Sequence, residues 1–212
     1  MTLAAILTGD LIGSTDVATE AVDTAMTALS QASATVARWA GADTRFTRFR
    51  GDGWQVYLAD PALVLRATLL LLASLRAKGG GLATRLSVAV GAVDRLGDNG
   101  LAQAAGPAFT LSGRNLDKMA SLRTFTYAEP DGDRHWPTAV MDLAAWQARQ
   151  WTREQAEAAT LALDLPRLTD QRLAEHLGIT RQAFQSRLKG TGLLAMSGAL
   201  LAFEINRLPL ES

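Results

Sequence analysis

Two aspartates in glycine-containing turns are the residues of this sequence best suited to chemistry. Asp10 follows the apolar run LAAILTG, and Asp52 lies in the turn sequence RGDG. An ionised carboxylate beside a buried strand is costly unless it is solvated, paired or bound to a cation, and oxygen ligands suit Mg²⁺ or Mn²⁺. Both aspartates are therefore candidate metal ligands. The alternative is that each one only shapes a turn, since Asp-Gly is a common hairpin pair.

The small residues around the first aspartate form a candidate phosphate site. Gly9 and Gly13 would let a phosphate approach the backbone. Ser14, Thr15 or Asp16 could cap the next helix, since short polar side chains accept hydrogen bonds from the first free amides of a helix. Those amides would then point toward the same place and attract an anion.

A second candidate site lies near the C-terminus, over residues 169–189. Its apolar residues have the spacing of the packed side chains of a helix-turn-helix, with Gly178 at the turn. The outward residues of the second helix could contact phosphates and base edges in the major groove of double-stranded DNA. These candidate DNA-binding residues are Thr180, Arg181, Gln182, Gln185, Ser186, Arg187 and Lys189. The alternative is an ordinary pair of packed helices with a solvated basic face.

Composition limits the classes of function. A chain of 212 residues with 48% hydrophobic residues suits one domain with a small appendage. It contains no cysteine, which excludes disulfides and thiolate chemistry, and its two histidines do not favour a zinc cluster. The N-terminus lacks signal-peptide features and the longest apolar run, 67–73, is too short to span a bilayer, so we expect a cytoplasmic protein without a membrane partner. The formal net charge is zero, so nucleic acid would have to bind a local patch.

The hydrophobic pattern predicts an α/β (α+β) fold that positions the two aspartates. The predicted order is strand, helix, strand, strand, helix, strand, which is the split βαβ, ferredoxin-like plan. In that plan the first strand lies beside the third, so Asp10 and Asp52 could converge on one cation. The ranges are helices over 16–39, 62–77 and 107–119, and strands over 44–49, 54–58, 84–93 and 123–127, after a first strand that leads into Asp10.

A polar turn over 130–133 predicts a domain boundary. We therefore expect an N-terminal domain over 1–130, a connecting helix within 131–150, and a small all-α domain over 151–212. Thr152 and Gln155 have the spacing of a capping box. Three tryptophans are expected to pack the helices of this region together, and the apolar segment 193–208 is expected to pack under the helix-turn-helix or against a second subunit. The tryptophans are Trp136, Trp146 and Trp151.

Four motifs resemble those of class III nucleotidyl cyclase domains: TGDLIGST at 8–15, FRGDGW at 49–54, RLSVAVG at 85–91 and GPAFTLSGRNL at 106–116. A more specific resemblance, which continues into the C-terminal region, is to SatD-like proteins, a bacterial group of poorly defined function. It includes GDGWQVYLADP at 51–61 and GPAFTLSGRNLDKM at 106–119. The cyclase resemblance implies that Asp10 and Asp52, with Leu11, hold two Mg²⁺ or Mn²⁺ ions and that Arg114 stabilises charge on a reacting nucleoside triphosphate.

The resemblance also implies a set of nucleotide-binding residues, some of which depart from the cyclase pattern. Arg48 stands where base-reading cyclases have lysine or glutamate, Gln103 stands near their second base-reading position, and Thr110 replaces an asparagine. No clear lysine follows the last strand. The implied nucleotide-binding residues are Gly13, Ser14, Thr15, Arg48, Gly51, Gln103 and Thr110.

Three functions follow from this comparison. The first is a metal-dependent nucleotidyl cyclase of altered specificity fused to a DNA-binding helix-turn-helix. The second is a transcription regulator that senses a nucleotide without catalysis, and the third is a purely structural oligomerisation domain on a DNA-binding tail. In the cyclases that the chain resembles, the arginine reaches across to the metals of a partner, and helix-turn-helix proteins commonly bind DNA as dimers, so we expect a homodimer.

Overall fold

The fold combines five strands and eight helices in the computed structural model, which describes residues 3–39, 43–49, 51–78, 80–98, 100–129 and 135–205. The strands are β1 (Leu3–Ile12), β2 (Thr44–Phe49), β3 (Gly53–Leu58), β4 (Ala83–Ala92) and β5 (Phe125–Ala128). The helices are α1 (Thr19–Ala37), α2 (Val64–Lys78), α3 (Pro107–Asp117), α4 (His135–Arg149), α5 (Arg153–Leu163), α6 (Asp170–His176), α7 (Arg181–Thr191) and α8 (Leu193–Ile205).

The strands form one mixed sheet in the order β2-β3-β1-β4-β5. Strand β1 is antiparallel to both β3 and β4, and β5 is parallel to β4. The prediction that the first strand lies beside the third is confirmed. In this register Asp10 lies opposite Gly53 on one side and opposite Arg85 on the other.

The alternation of side chains along β1 separates the two faces of the sheet. Ala5, Leu7 and Leu11 are buried in the larger hydrophobic cluster, which includes the inward residues of α1 and α2. Ala4 and Ile6 are buried in a smaller cluster with a residue of α3. Because side chains alternate with a period of two, Asp10 lies on the same face as Ala4 and Ile6, the face that α3 covers.

Helix α2 is buried on several sides, with eleven of its residues inaccessible to solvent. It contacts α1, α4 and α5, and one hydrophobic cluster extends from the sheet into the C-terminal helices. Trp151 is fully buried in this cluster, and Trp136 packs edge-to-face against Phe203 of α8. Trp146, by contrast, is 60% exposed, so its predicted packing role is wrong. The predicted boundary at 130–133 lies outside the described residues.

Several helix ends match their sequence signals. Thr152 and Gln155 form the predicted capping box of α5, and the side chain of Asp60 accepts a hydrogen bond from the amide of Ala62. Helix α1, however, begins only at Thr19, and its N-cap, Ala18, makes no side-chain hydrogen bond. The predicted capping by residues 14–16 is wrong because these residues form a separate 3₁₀ turn ahead of the helix.

Helix α8 contacts α7, α4 and α2 and still leaves part of its surface open. Three of its large apolar side chains are exposed: Leu194, Leu201 and Ile205. In the described part of the chain no single helix is long and apolar enough to cross a membrane. Helices α7 and α8 meet that length and composition requirement only as a pair, and the pair is bent by 64°.

Candidate functional site

Asp10 is held by an arginine from the neighbouring strand. The Nε of Arg85 donates to Oδ1 of Asp10 at 2.9 Å, and its Nη2 donates to Oδ2, so both carboxylate oxygens are used. The hydrogen bond to Asp10 raises the pKa of Arg85, and the charges of Asp10, Asp117 and Asp52 raise it further. The guanidinium therefore neutralises Asp10, while burial opposes the rise in pKa.

Asp52 lies beside the exit of β1, close to Asp10. The hydroxyl of Ser14 donates to Oδ2 of Asp52 at 2.5 Å. The amide of Leu11 donates to the main-chain carbonyl of Asp52 at 3.2 Å, which joins the turn before β3 to β1. The structure thus places Asp10, near the end of β1, and Asp52, in the turn before β3, at the same end of two adjacent strands. The hydrogen bond between Leu11 and Asp52 joins the two segments.

This arrangement does not fit a divalent cation as it stands. Both oxygens of Asp10 are occupied by Arg85, and a guanidinium at that place repels a metal ion. Among the residues that the structure describes, no group of three or more acidic or histidine side chains is placed to hold a metal. Mg²⁺ or Mn²⁺ could be shared by Asp10 and Asp52 only after Arg85 turned away from Asp10.

Replacing Arg85 with glutamine is therefore expected to increase the affinity of the protein for Mn²⁺ by about tenfold, because it removes a competing cation from Asp10. Electron paramagnetic resonance of free Mn²⁺ measures the affinity directly. Arg123→Gln is the matched control, since Arg123 is an exposed arginine that pairs with Asp142 away from this site. Equal Mn²⁺ affinities of the wild type and Arg85→Gln would show that Arg85 does not block a metal site.

The glycines before and after Asp10 have different roles. A Cβ on Gly9 would lie 2.5 Å from the indole of Trp54, which is fully buried and donates to the hydroxyl of Thr84. Gly9 therefore makes room for a tryptophan rather than for a phosphate. Gly13 has φ +72 with open space around it, which suits the left-handed turn after β1. Thr15 next to this turn is exposed.

The two predicted base-reading residues do not meet. Arg48 of β2 is turned toward α1, where its Nη1 pairs with Oδ1 of Asp23 at 2.6 Å, and its Nε donates to the carbonyl of Gly51. Gln103 is exposed in the loop before α3, and its main-chain carbonyl accepts a hydrogen bond from Nε of Arg95. That loop packs on the α3 face through the buried side chain of Leu101. Arg48 and Gln103 therefore lie on opposite faces of the sheet.

Helix α3 turns Arg114 away from the sheet. Ala108, Ser112 and Leu116 are its buried residues, and the hydroxyl of Ser112 hydrogen-bonds that of Thr8 on β1. Thr110 and Arg114 are exposed on the outer side of the helix. Within the described ranges, the side chain of Arg114 makes no hydrogen bond or ion pair, and it does not contact the aspartates of its own chain.

A polar surface lies on α7, separately from the sheet. Helices α6 and α7 are joined by residues 177–180, with Gly178 at φ +64, and the hydroxyl of Thr180 accepts from the amide of Ala183. The buried residues Phe184 and Leu188 direct the opposite side of α7 outward. We call its exposed polar side chains the α7 stripe: Arg181, Gln182, Gln185, Ser186 and Lys189.

Arg187 does not belong to this stripe, so its predicted outward position is wrong. Its side chain is only 27% exposed, and its Nη1 pairs with Oε2 of Glu157 on α5 at 3.2 Å. The physical reason is helical periodicity, because Arg187 adjoins Leu188 and lies one turn from Phe184 on the packed side.

Sequence reasoning missed two partners of candidate residues. Arg85 is the partner of Asp10, and Glu157 is the partner of Arg187. The alternation of RLSVAVG could have placed Arg85 on the Asp10 face, but only a known register makes it the neighbour of Asp10. No pattern in the sequence indicates that Glu157 pairs with Arg187. Comparison with known proteins adds no assignment: no protein-family model matches the chain, and no curated protein matches it.

Proposed function

We propose that this protein is a DNA-binding regulator in which α6 and α7 form a helix-turn-helix and the sheet domain is a nucleotide-binding, cyclase-like domain. The observation that carries the proposal is the α7 stripe. It presents cationic, amide and hydroxyl groups on one face of a capped helix that follows a short turn. Such side chains suit phosphates and base edges in a major groove.

The sheet domain supports the sensing half of this proposal. The order β2-β3-β1-β4, with α1 and α2 as crossovers, corresponds to the ferredoxin-like plan of the cyclases that the sequence resembles. The pairing of Asp10 with Arg85 favours nucleotide sensing over catalysis, because the carboxylate is already neutralised by a residue of the chain. The resemblance to SatD-like proteins is compatible with either activity.

Fluorescence anisotropy with labelled duplexes from the region upstream of the protein's own gene tests the proposal. We expect binding that weakens steeply as salt rises, since a local basic surface displaces counterions from DNA. We also expect one of the common nucleoside triphosphates to change the affinity for DNA. Absence of salt-dependent binding to any duplex would contradict the DNA-binding function. A DNA affinity that no nucleoside triphosphate changes would contradict only the nucleotide-sensing function.

A second candidate function is a metal-dependent nucleotidyl cyclase. It is favoured by the common end of the sheet that Asp10 and Asp52 share and by the outward direction of Arg114. Arg85 would first have to release Asp10. A bound Mg²⁺ or Mn²⁺ would supply charge neutralisation for a triphosphate. Arg114 would serve the site of a second copy, where its guanidinium could bind a phosphate oxygen.

A shared site of this kind predicts complementation between two defective variants. Asp10→Ala and Arg114→Ala, mixed so that subunits exchange, would form mixed dimers with one doubly defective site and one intact site. Up to half of the wild-type activity per mixed dimer should return, measured as cyclic nucleotide by mass spectrometry. In a non-catalytic sensor the corresponding measurement is recovered nucleotide binding.

The control is the same mixture without subunit exchange, which should recover neither activity nor binding. A protein that is monomeric at micromolar concentration would contradict the shared site. So would the absence of recovery after exchange has been verified with differently tagged subunits. Arg114 would then have only a local role on α3.

A further inference from the structure

A cleft lies where the C-terminal end of α2, the start of β4 and the end of α4 meet. Its volume is about 80 Å³, and its walls include Leu72, Leu75 and Leu82. Two arginines, Arg76 and Arg149, line the same cleft. The cleft contains no residue of the α7 stripe, and it adjoins the Asp10 site only through β4, where Thr84 lines the cleft and its hydroxyl donates to the main-chain carbonyl of Asp10 at 2.7 Å.

Both guanidinium groups are positioned by main-chain carbonyls rather than by carboxylates. The Nε of Arg76 donates to the carbonyl of Trp151 at 2.8 Å, and Nη2 of Arg149 donates to the carbonyl of Thr84 at 3.0 Å. A carbonyl orients the group but leaves its charge uncompensated. Among the described residues, neither arginine has an acidic side chain within ion-pair distance.

Two partly buried arginines elsewhere in the described part of the chain are neutralised by carboxylates. Arg66 pairs with Glu204 at 2.6 Å, and Arg187 pairs with Glu157 at 3.2 Å. Arg149 has no such partner, and burial lowers its pKa without an opposing contribution from any carboxylate. A desolvated cation without a partner is costly, so this position would gain from a bound anion.

We propose that the cleft between Arg76 and Arg149 binds a phosphate group, either free or carried by a small phosphomonoester. Guanidinium groups present several N–H donors in a fixed fork that matches the oxygens of phosphate. The hydrogen bonds to main-chain carbonyls orient both guanidinium groups before the anion binds, which lowers the entropic cost of binding. The leucine walls reduce screening by water and so strengthen the attraction.

The surroundings of the cleft extend the positive charge. An adjoining cleft shares Arg76 and is lined in addition by Lys78 and Arg153. Arg153 is 73% exposed and pairs with Glu157, so it contributes less than the two arginines anchored by carbonyls. The bound phosphate would contact both the sheet domain, through α2, and the end of α4, which leads into the C-terminal helices.

Isothermal titration calorimetry of the full chain, at constant ionic strength, tests the site with inorganic phosphate and with glycerol 3-phosphate as probes. Arg76→Gln and Arg149→Gln should each weaken binding by about tenfold or more, because each removes a charged hydrogen bond to the anion. Arg123→Gln should bind as the wild type does, since Arg123 already pairs with Asp142. Tighter binding of inorganic phosphate identifies free phosphate as the ligand, and tighter binding of glycerol 3-phosphate identifies a phosphomonoester.

The proposal is overturned if neither probe binds the wild type, or if both glutamine variants bind as tightly as the wild type. Arg76 is exposed, so Arg76→Gln keeps the test valid even if Arg149→Gln folds poorly. Phosphorus NMR of the probes in the presence of wild-type protein, where binding broadens the resonance, gives an independent measurement of the same affinity.

Discussion

Alanine at both Arg181 and Lys189 is expected to lower the affinity of the protein for duplex DNA by about a hundredfold. Each residue is an exposed cation on the α7 stripe, and loss of one base or phosphate contact costs roughly 1–3 kcal/mol. Fluorescence anisotropy at several salt concentrations measures the affinity for DNA and its dependence on salt. The slope of log affinity against log salt should decrease by about two, because two phosphate-facing cations are removed.

The matched control is the double variant Lys118→Ala with Arg123→Ala, which removes the same charge from an exposed surface near α3. Its DNA affinity should stay close to that of the wild type. Equal losses in the two double variants would mean that DNA senses only the overall charge. An unchanged affinity in the α7 variant would remove the α7 stripe as the DNA surface.

Trp151→Ala is expected to lower the free energy of unfolding by about 3–5 kcal/mol, as large-to-small substitutions of buried aromatic residues do. The indole is fully buried and its Nε1 donates to the carbonyl of Thr191 at 2.8 Å. Urea unfolding followed by circular dichroism measures the change without relying on tryptophan fluorescence. Because one hydrophobic cluster joins the sheet to the C-terminal helices, we expect a single unfolding transition in the wild type and in the Trp151→Ala variant.

Trp146→Ala provides the control for the same chemical change at an exposed position. Its side chain is 60% exposed, so the loss should stay within about 0.5 kcal/mol. Similar losses in the two variants would argue against the buried position of Trp151. A second unfolding transition in wild-type protein would instead show that the C-terminal helices are an independent unit.

The order of elements could be predicted from the sequence because local patterns determine it. The alternation along β4 and the turn signals around β2 and β3 indicate the order of the elements, and the split βαβ plan of that order predicts β1 beside β3, as observed. The N-terminal end of α5 was also predictable, because the side chain of Thr152 caps its backbone.

Contacts between distant residues could not be predicted in the same way. The pairing of Asp10 with Arg85 depends on the register between β1 and β4, and a shift of one residue would place Arg85 on the other face. The sequence around Gly9 predicts an approach to phosphate because its real neighbour, Trp54, lies on another strand and is not visible in the local pattern. The inward direction of Arg187 was accessible from helical periodicity alone and was missed.

Strand β2 has one consequence for how two copies of this chain could associate. It forms one edge of the sheet, and its arginines are held near that edge, with Arg45 donating to the carbonyl of Gly97 at 2.8 Å and Arg48 paired with Asp23. Fixed charges along an open edge discourage a strand of another molecule from adding to it. A homodimer of this protein is therefore expected to form through surfaces other than the β2 edge, and this edge of the sheet is protected from adding strands in an open-ended aggregate.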